Sequence, residues 1–305
     1  MTPATGTPAA PLSRVAVWTA AARPKTLFAA VSPVLVGSAM AYADGALHAP
    51  SALAALGCAL LLQIGANFVN DLADFEKGSD TAARKGPLRV VQAGLVAPAT
   101  MRRATVLVFS SAFALGLVLV ARGGWPILAV GLAAMATAIA YTAGPRALAY
   151  VGLGDVAAFA FFGPVAVGGT YYAQALALPP VVLVAGVAPG LLAAALLVAN
   201  NLRDVDEDRA AGKRTLIVRF GVTFGRALYT ACLIGAALVP AGLWLATGKH
   251  AGALAASAAV LALGIPADRT VWHTREAAPL IGVLGATGRL LFVYGVAFAL
   301  GWALT

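Results

Sequence analysis

The sequence predicts an all-α polytopic membrane protein, with about nine transmembrane helices around a central cavity. Three observations carry this. Of 305 residues, 61% are hydrophobic and only 11% charged, with a mean hydropathy of +0.87. Soluble domains run at roughly 45–50% apolar and about 25% charged. Nine apolar runs approach or reach the ~20 residues that a bilayer helix needs. When those runs alternate across a membrane, nearly all Lys and Arg residues fall on one side. The same composition excludes a disordered, collagen-like or disulfide-scaffold chain.

Residues 1–22 open with Thr, Ala and Pro and are expected to be a flexible N-terminal segment of a single 1–305 domain. The first apolar run, 27–43, follows Arg23 and Lys25 and reads as a retained span rather than a cleaved signal. The others are 50–70, 104–121, 126–143, 156–174, 179–200, 227–246, 251–267 and 282–303. Gly and Pro recur inside them, as membrane helices tolerate. The last run holds Arg289, so eight spans is the rival count.

With nine spans, one side collects the N-terminus, 71–103, 144–155, 201–226, 268–281 and Arg289. That side holds all 21 Lys and Arg residues except Arg122 and Lys249, and all 12 acids except Asp44. The positive-inside rule makes it cytoplasmic. A net charge of +9 would point to nucleic acid in a soluble protein. Here it reads as topology and anionic ligands, with membrane lipids as partners, no nucleic acid and no obligate protein partner. Cys58 and Cys232 lie far apart in apolar runs, which offers no disulfide or zinc framework.

Both signs of charge concentrate in two clusters. In the stretch Asn67 to Asp80, at the end of the second span, Asn67, Asn70, Asp71 and Asp74 are mostly three or four apart, on one broad helical face. In Asn200 to Leu216, at the end of the sixth, Asn200, Asp204 and Asp208 are each four apart. Span, amide, carboxylates, loop and bases thus occur twice, as in two diverged four-helix halves. Clustered carboxylates near an apolar phase repel and pay for desolvation, and a divalent cation relieves both. Hard oxygen ligands suit Mg²⁺, which phosphates help to complete. Two facing clusters would hold Mg²⁺ ions bridged by a diphosphate. Lys77, Arg84, Lys85 and Arg89 follow the first cluster; Arg203, Arg209, Lys213 and Arg214 accompany the second, and Arg146 lies between them. Such bases stabilise a departing diphosphate. Each base alone also reads as a topology marker, and Asp206 with Glu207 as a solvated face.

At these residues the chain resembles the UbiA superfamily of intramembrane aromatic prenyltransferases. The likeness runs over nearly the whole chain from the RPKT stretch, Arg23 to Thr26. The family's first signature falls on Asn67, Asp71, Asp74 and Asp80, and the second on Asn200, Asp204 and Asp208, with Gly212, Lys213, Arg214 and Thr215 following. Where the broader family often has an acid, this chain has Gly78. The KGSD and GPLR segments, Lys77 to Asp80 and Gly86 to Arg89, are similar to the menaquinone branch, as is YTAGPRALAYVGLGD, Tyr141 to Asp155.

The resemblance implies Mg²⁺-dependent transfer from a polyprenyl diphosphate to 1,4-dihydroxy-2-naphthoate, with decarboxylation to demethylmenaquinone, at the cytoplasmic face of the inner (cytoplasmic) cell membrane. It places the metal on Asn67, Asp71, Asp74, Asp80, Asn200, Asp204 and Asp208. Lys77, Arg84, Arg89, Arg146, Lys213 and Arg214 meet the diphosphate. Asn67, Asp71, Asp204 and Asp208 act in catalysis, with Tyr141 as cation stabiliser or ring neighbour, or an ordinary interfacial tyrosine. Asp155 orients a base or the acceptor, or caps a loop. Homogentisate and 4-hydroxybenzoate are the competing acceptors. A secondary transporter would place its charges nearer the midplane, and a CDP-alcohol phosphotransferase would need one compact acidic signature.

Overall fold

The computed structural model describes residues 12–78, 86 and 88–305. These are all-helical: α1 (Arg14–Ala22), α2 (Pro24–Ala43), α3 (Ala49–Glu76), α4 (Pro98–Gly123), α5 (Trp125–Ala140), α6 (Leu148–Val151), α7 (Gly154–Phe162), α8 (Pro164–Ala175), α9 (Pro180–Arg203), α10 (Val205–Ala210), α11 (Leu216–Phe220), α12 (Val222–Thr247), α13 (Leu254–His273) and α14 (Ala277–Leu304). Proline opens the first turn of α2, α3, α4, α5, α8 and α9, where its missing N–H costs nothing. Ser13 and Thr215 cap α1 and α11 through side-chain oxygens.

Each of the nine predicted spans meets a helix. Eight are long and apolar enough to cross a membrane, α7 and α8 counting as one broken span. The fourth, α5, has only 16 residues, about 24 Å against a hydrocarbon core of about 30 Å. The chain is thus a multi-pass membrane protein. Four helices, α2 to α5, form one group; the α7/α8 span, α9, α12 and α13 form the second. Helix α14 closes the bundle by packing along α2, α9 and α13. Thr305 accepts a hydrogen bond from the backbone N–H of Gly252, between α12 and α13, so the chain ends opposite the acid clusters.

Small residues let these helices approach closely, as membrane interfaces require. Gly163, which separates α7 from α8, lies against Gly186 and Gly190 of α9. A Cβ added at Gly163 would sit 2.7 Å from the Gly186 carbonyl oxygen and 2.8 Å from the Gly190 Cα. This contact seats α7 on α9, and so places the loop before α7 beside the acid-bearing end of α9.

Of the N-terminal segment, residues 1–11 lie outside the described residues. Residues 14–22 form α1 rather than a flexible tail, because Val17 and Ala21 bury against α3 and Trp18 meets Phe68 with ring centroids 5.6 Å apart.

Candidate active site

The helices enclose a cavity of about 460 Å³, lined by α2, α3, α4, α5, α7, α8, α9 and the α10 segment. One end is polar, with Asn67, Asp74, Asp204, Asp208 and Lys213; the rest is apolar, with Leu62, Leu128, Phe161 and Phe162 among its walls. Phe113, Leu117 and Leu132 both line it and are exposed on the outside of α4 and α5, so it opens sideways between those helices.

The two acid clusters meet at this polar end. Lys213 carries the junction: its Nζ lies 3.7 Å from Asp74 Oδ1 and 3.5 Å from Asp208 Oδ1. Gly212 makes this possible. At φ +72° it takes the left-handed conformation that ends α10, and the Lys213 amide then donates to the Asp208 carbonyl. Asp74 is 2% exposed. It accepts from Arg89 at 3.1 Å and from the Tyr150 hydroxyl at 3.1 Å. Arg89 also donates to Asn70. Asp204 accepts from Arg203 at 2.6 Å, and Asn200 bonds both residues. Burial, opposed by Lys213 and reinforced by the charges of Asp204 and Asp74, raises the Asp208 carboxyl to about 6.

On α3 the cavity face runs through Gln63, Asn67, Asn70 and Asp74. The Asn67 amide donates to the Ala22 carbonyl and to Thr26, tying α3 to the start of α2. Asp71 is not among the described residues that line the cavity. It is about 40° round the helix from Asn67, away from Asn70. Its carboxylate accepts from the backbone amides of Val90 at 3.0 Å and Val91 at 3.4 Å. It thereby anchors the turn that delivers Arg89 to Asp74.

The predicted bases divide. Lys213 and Arg89 line the cavity. Lys77 turns away, donating to the carbonyls of Thr142 and Gly144 and lying 4.1 Å over the Tyr150 ring. Arg146 and Arg214 are exposed and off the cavity wall. Asp80, Arg84 and Lys85 lie outside the described residues. Tyr141 lines the cavity beside Asp155. Sequence reasoning missed Tyr150, which hydrogen-bonds Asp74 and lies under both Lys77 and Lys213. Its only signal was membership of the Tyr141 to Asp155 stretch.

Among the described residues, no three acidic, His or Cys side chains converge tightly enough to hold a metal alone. Mg²⁺ asks for less: one or two carboxylates, with phosphate oxygens and water completing its shell. The opposed oxygens of Asp74 and Asp208, separated now by an ammonium group, fit that demand.

Comparison with known proteins gives a consistent picture. The model of the UbiA prenyltransferase family matches residues 30–281. The chain is 40% identical over 245 residues to the 1,4-dihydroxy-2-naphthoate octaprenyltransferase of Escherichia coli (strain K12), covering 78% of this chain and 79% of that protein. It is 39% identical over 292 residues to the Mycobacterium tuberculosis enzyme of the same name, covering 94% and 97%. The apo structure of a UbiA homolog from Aeropyrum pernix K1 superposes with a TM-score of 0.68 at 16% identity, over 94% of this chain and 98% of that one. A UbiA homolog from Archaeoglobus fulgidus bound to DMAPP and Mg²⁺ gives 0.65 at 16% identity, over 92% and 98%. At such identities the likeness is one of fold.

Proposed function

The chain belongs to the UbiA prenyltransferase family, and from that premise we propose that it transfers a polyprenyl group from its diphosphate to 1,4-dihydroxy-2-naphthoate. The reaction depends on Mg²⁺ and releases diphosphate and CO₂, giving the prenylated naphthoquinol, demethylmenaquinol. The observation that carries this reading is the meeting of Asp74 and Asp208 at Lys213, in the polar end of an otherwise apolar cavity. A diphosphate suits that end and an isoprenoid tail suits the rest. The sideways opening between α4 and α5 lets the tail enter from lipid without crossing water.

Asp74, Asp208, Asp204, Asn200 and Asn67 would hold the metal, which supplies Lewis-acid stabilisation of the leaving diphosphate. Lys213 takes up part of the same negative charge as the allylic C–O bond breaks. Arg89 and Tyr150 fix the Asp74 carboxylate, and Asp71 holds the turn that carries Arg89. Tyr141 offers its ring face to the allylic cation. The concentration of bases around this end supports a cytoplasmic orientation.

Two measurements test this. An acceptor carrying ¹³C in its carboxylate, given with a long-chain donor and Mg²⁺, is expected to release labelled CO₂ in step with prenylated product. Label retained in the lipid product overturns the decarboxylating reaction. Efficient transfer to 4-hydroxybenzoate with none to the naphthoate overturns the acceptor. The second follows from Asp208, which is protonated below about pH 6. Mg²⁺ then competes with a proton, so the half-saturating Mg²⁺ concentration should rise about tenfold between pH 7 and pH 5. A requirement independent of pH removes Asp208 from the metal site.

A further inference from the structure

Asp155 is a buried carboxylate that no other side chain among the described residues hydrogen-bonds. It sits in the first turn of α7, is 5% exposed, and lines the cavity. Neither of its carboxylate oxygens has a hydrogen-bond partner among the described residues. A buried carboxylate is costly unless something donates to it. It does not cap its own helix: Leu153 holds the N-cap position, and no side chain caps α7. The helix N-terminus and its own backbone amide ease its burial, and the cavity it lines is where a further donor can come from.

The surroundings specify that partner. The Tyr141 hydroxyl lies 3.2 Å from where a Cβ on Gly154 would stand, so Tyr141 and Asp155 are neighbours on one wall. Along α7 the same wall continues as Ala158, Phe161 and Phe162. Asp155 thus stands where the polar end passes into the apolar one. A diphosphate brings no hydrogen-bond donor. An isoprenoid tail has no donor either. Of the two substrates, only the aromatic acceptor brings O–H groups on a flat apolar ring.

Resting on the function proposed above, we infer that Asp155 is the catalytic base of the transfer, accepting the acceptor hydroxyl next to the carboxylate-bearing carbon. The allylic C–O bond breaks, and its electron pair leaves with diphosphate. The ring carbon bearing the carboxylate forms the new C–C bond. Its adjacent hydroxyl becomes a ketone, and the hydroxyl proton passes to Asp155. The C–CO₂ bond then breaks, its electron pair restores the aromatic ring, and the resulting enolate oxygen takes the proton back from Asp155. The proton is lent and returned, so the residue needs no route to bulk water, in keeping with its burial.

The test compares wild type with D155N, which is nearly isosteric but cannot take a proton, in liposomes. Expected is a fall in kcat of about 100-fold or more, the usual contribution of a positioned base. The donor KM and the Mg²⁺ requirement should stay within twofold. Ring-fluorinated acceptors, whose hydroxyls are more acidic, should narrow the gap between wild type and D155N; a merely structural role would leave it constant. A kcat within threefold of wild type overturns the inference, as does a gap unchanged across the acceptor series. A tenfold shift in donor KM or Mg²⁺ requirement overturns it too, and makes Asp155 a metal or diphosphate residue. If D155N fails to insert, D155S carries the same measurements. Wild type that transfers to the naphthoate beside an unaffected D155N sinks this inference alone. Wild type without such transfer sinks the function on which it rests.

Discussion

D74N and D208N should each lower prenyl transfer by about three orders of magnitude at saturating Mg²⁺, and the double variant should fall little further. The expectation comes from geometry. The two carboxylates are 134 residues apart in sequence, yet both face one ammonium group at 3.7 and 3.5 Å. Residues that act as one unit are grossly non-additive, because losing one member already disables the set. Asn is chosen over Ala for Asp74. Truncation would remove the carboxylate from Arg89, and stranding one partner of a buried pair typically costs about 3–5 kcal/mol. An amide leaves the α3 side polar and Asn70 still bonded to Arg89. Transfer to a labelled acceptor gives the rate, and thermal melting in detergent shows whether the fold is intact. Near-normal transfer by either single variant, or losses that multiply in the double, would remove the shared site.

Lys213 and Arg214 should separate sharply, although they are adjacent and both basic. Lys213 lines the cavity between the two acids; Arg214 is exposed, and among the described residues it takes part through its backbone amide, which donates to the Tyr150 carbonyl. K213Q is expected to lower kcat/KM for the donor by about 10²–10³-fold, the range seen when one donor to a developing oxyanion is removed. The acceptor KM should change little. R214Q should stay within about threefold, because an exposed charge is screened by solvent and salt. Steady-state kinetics in each substrate decides. Equal losses in the two variants would return both to the role of topology markers.

Much of the architecture was legible in the sequence because the bilayer imposes it. Every backbone polar group must be satisfied within the membrane, so apolar runs become helices: among the described residues eight of the nine runs met helical spans long enough to cross, and the ninth met the short α5. Length set the margin of that reading: α5 is short and the α7/α8 span is broken at Gly163. The repeat of amide and acid at the ends of the second and sixth spans likewise placed the polar end on α3 and α9. A helical period, however, names a set of neighbours and not the direction in which they face. Asn67 and Asp71 share a broad side of α3, but the packing of α1, α2 and the 88–97 turn decides which part of it meets the cavity. That part runs through Asn67, Asn70 and Asp74, while Asp71 holds backbone amides.

The sequence by itself therefore determined the membrane fold, the gathering of charge at the ends of the second and sixth spans, and the residue types that could bind a metal and a diphosphate. These follow from composition, spacing and solvent, which act locally along the chain. Only the tertiary structure decided which acids meet. It joined Asp74 to Asp208 through Lys213, placed Tyr150 under two lysines, turned Lys77 to backbone carbonyls, and left Asp155 facing the cavity with no side-chain donor among the described residues. The physical reason is that such convergence depends on interhelical contacts between distant segments. The close approach of Gly163 to Gly186 and Gly190 is one of these, and no periodicity within either helix encodes it.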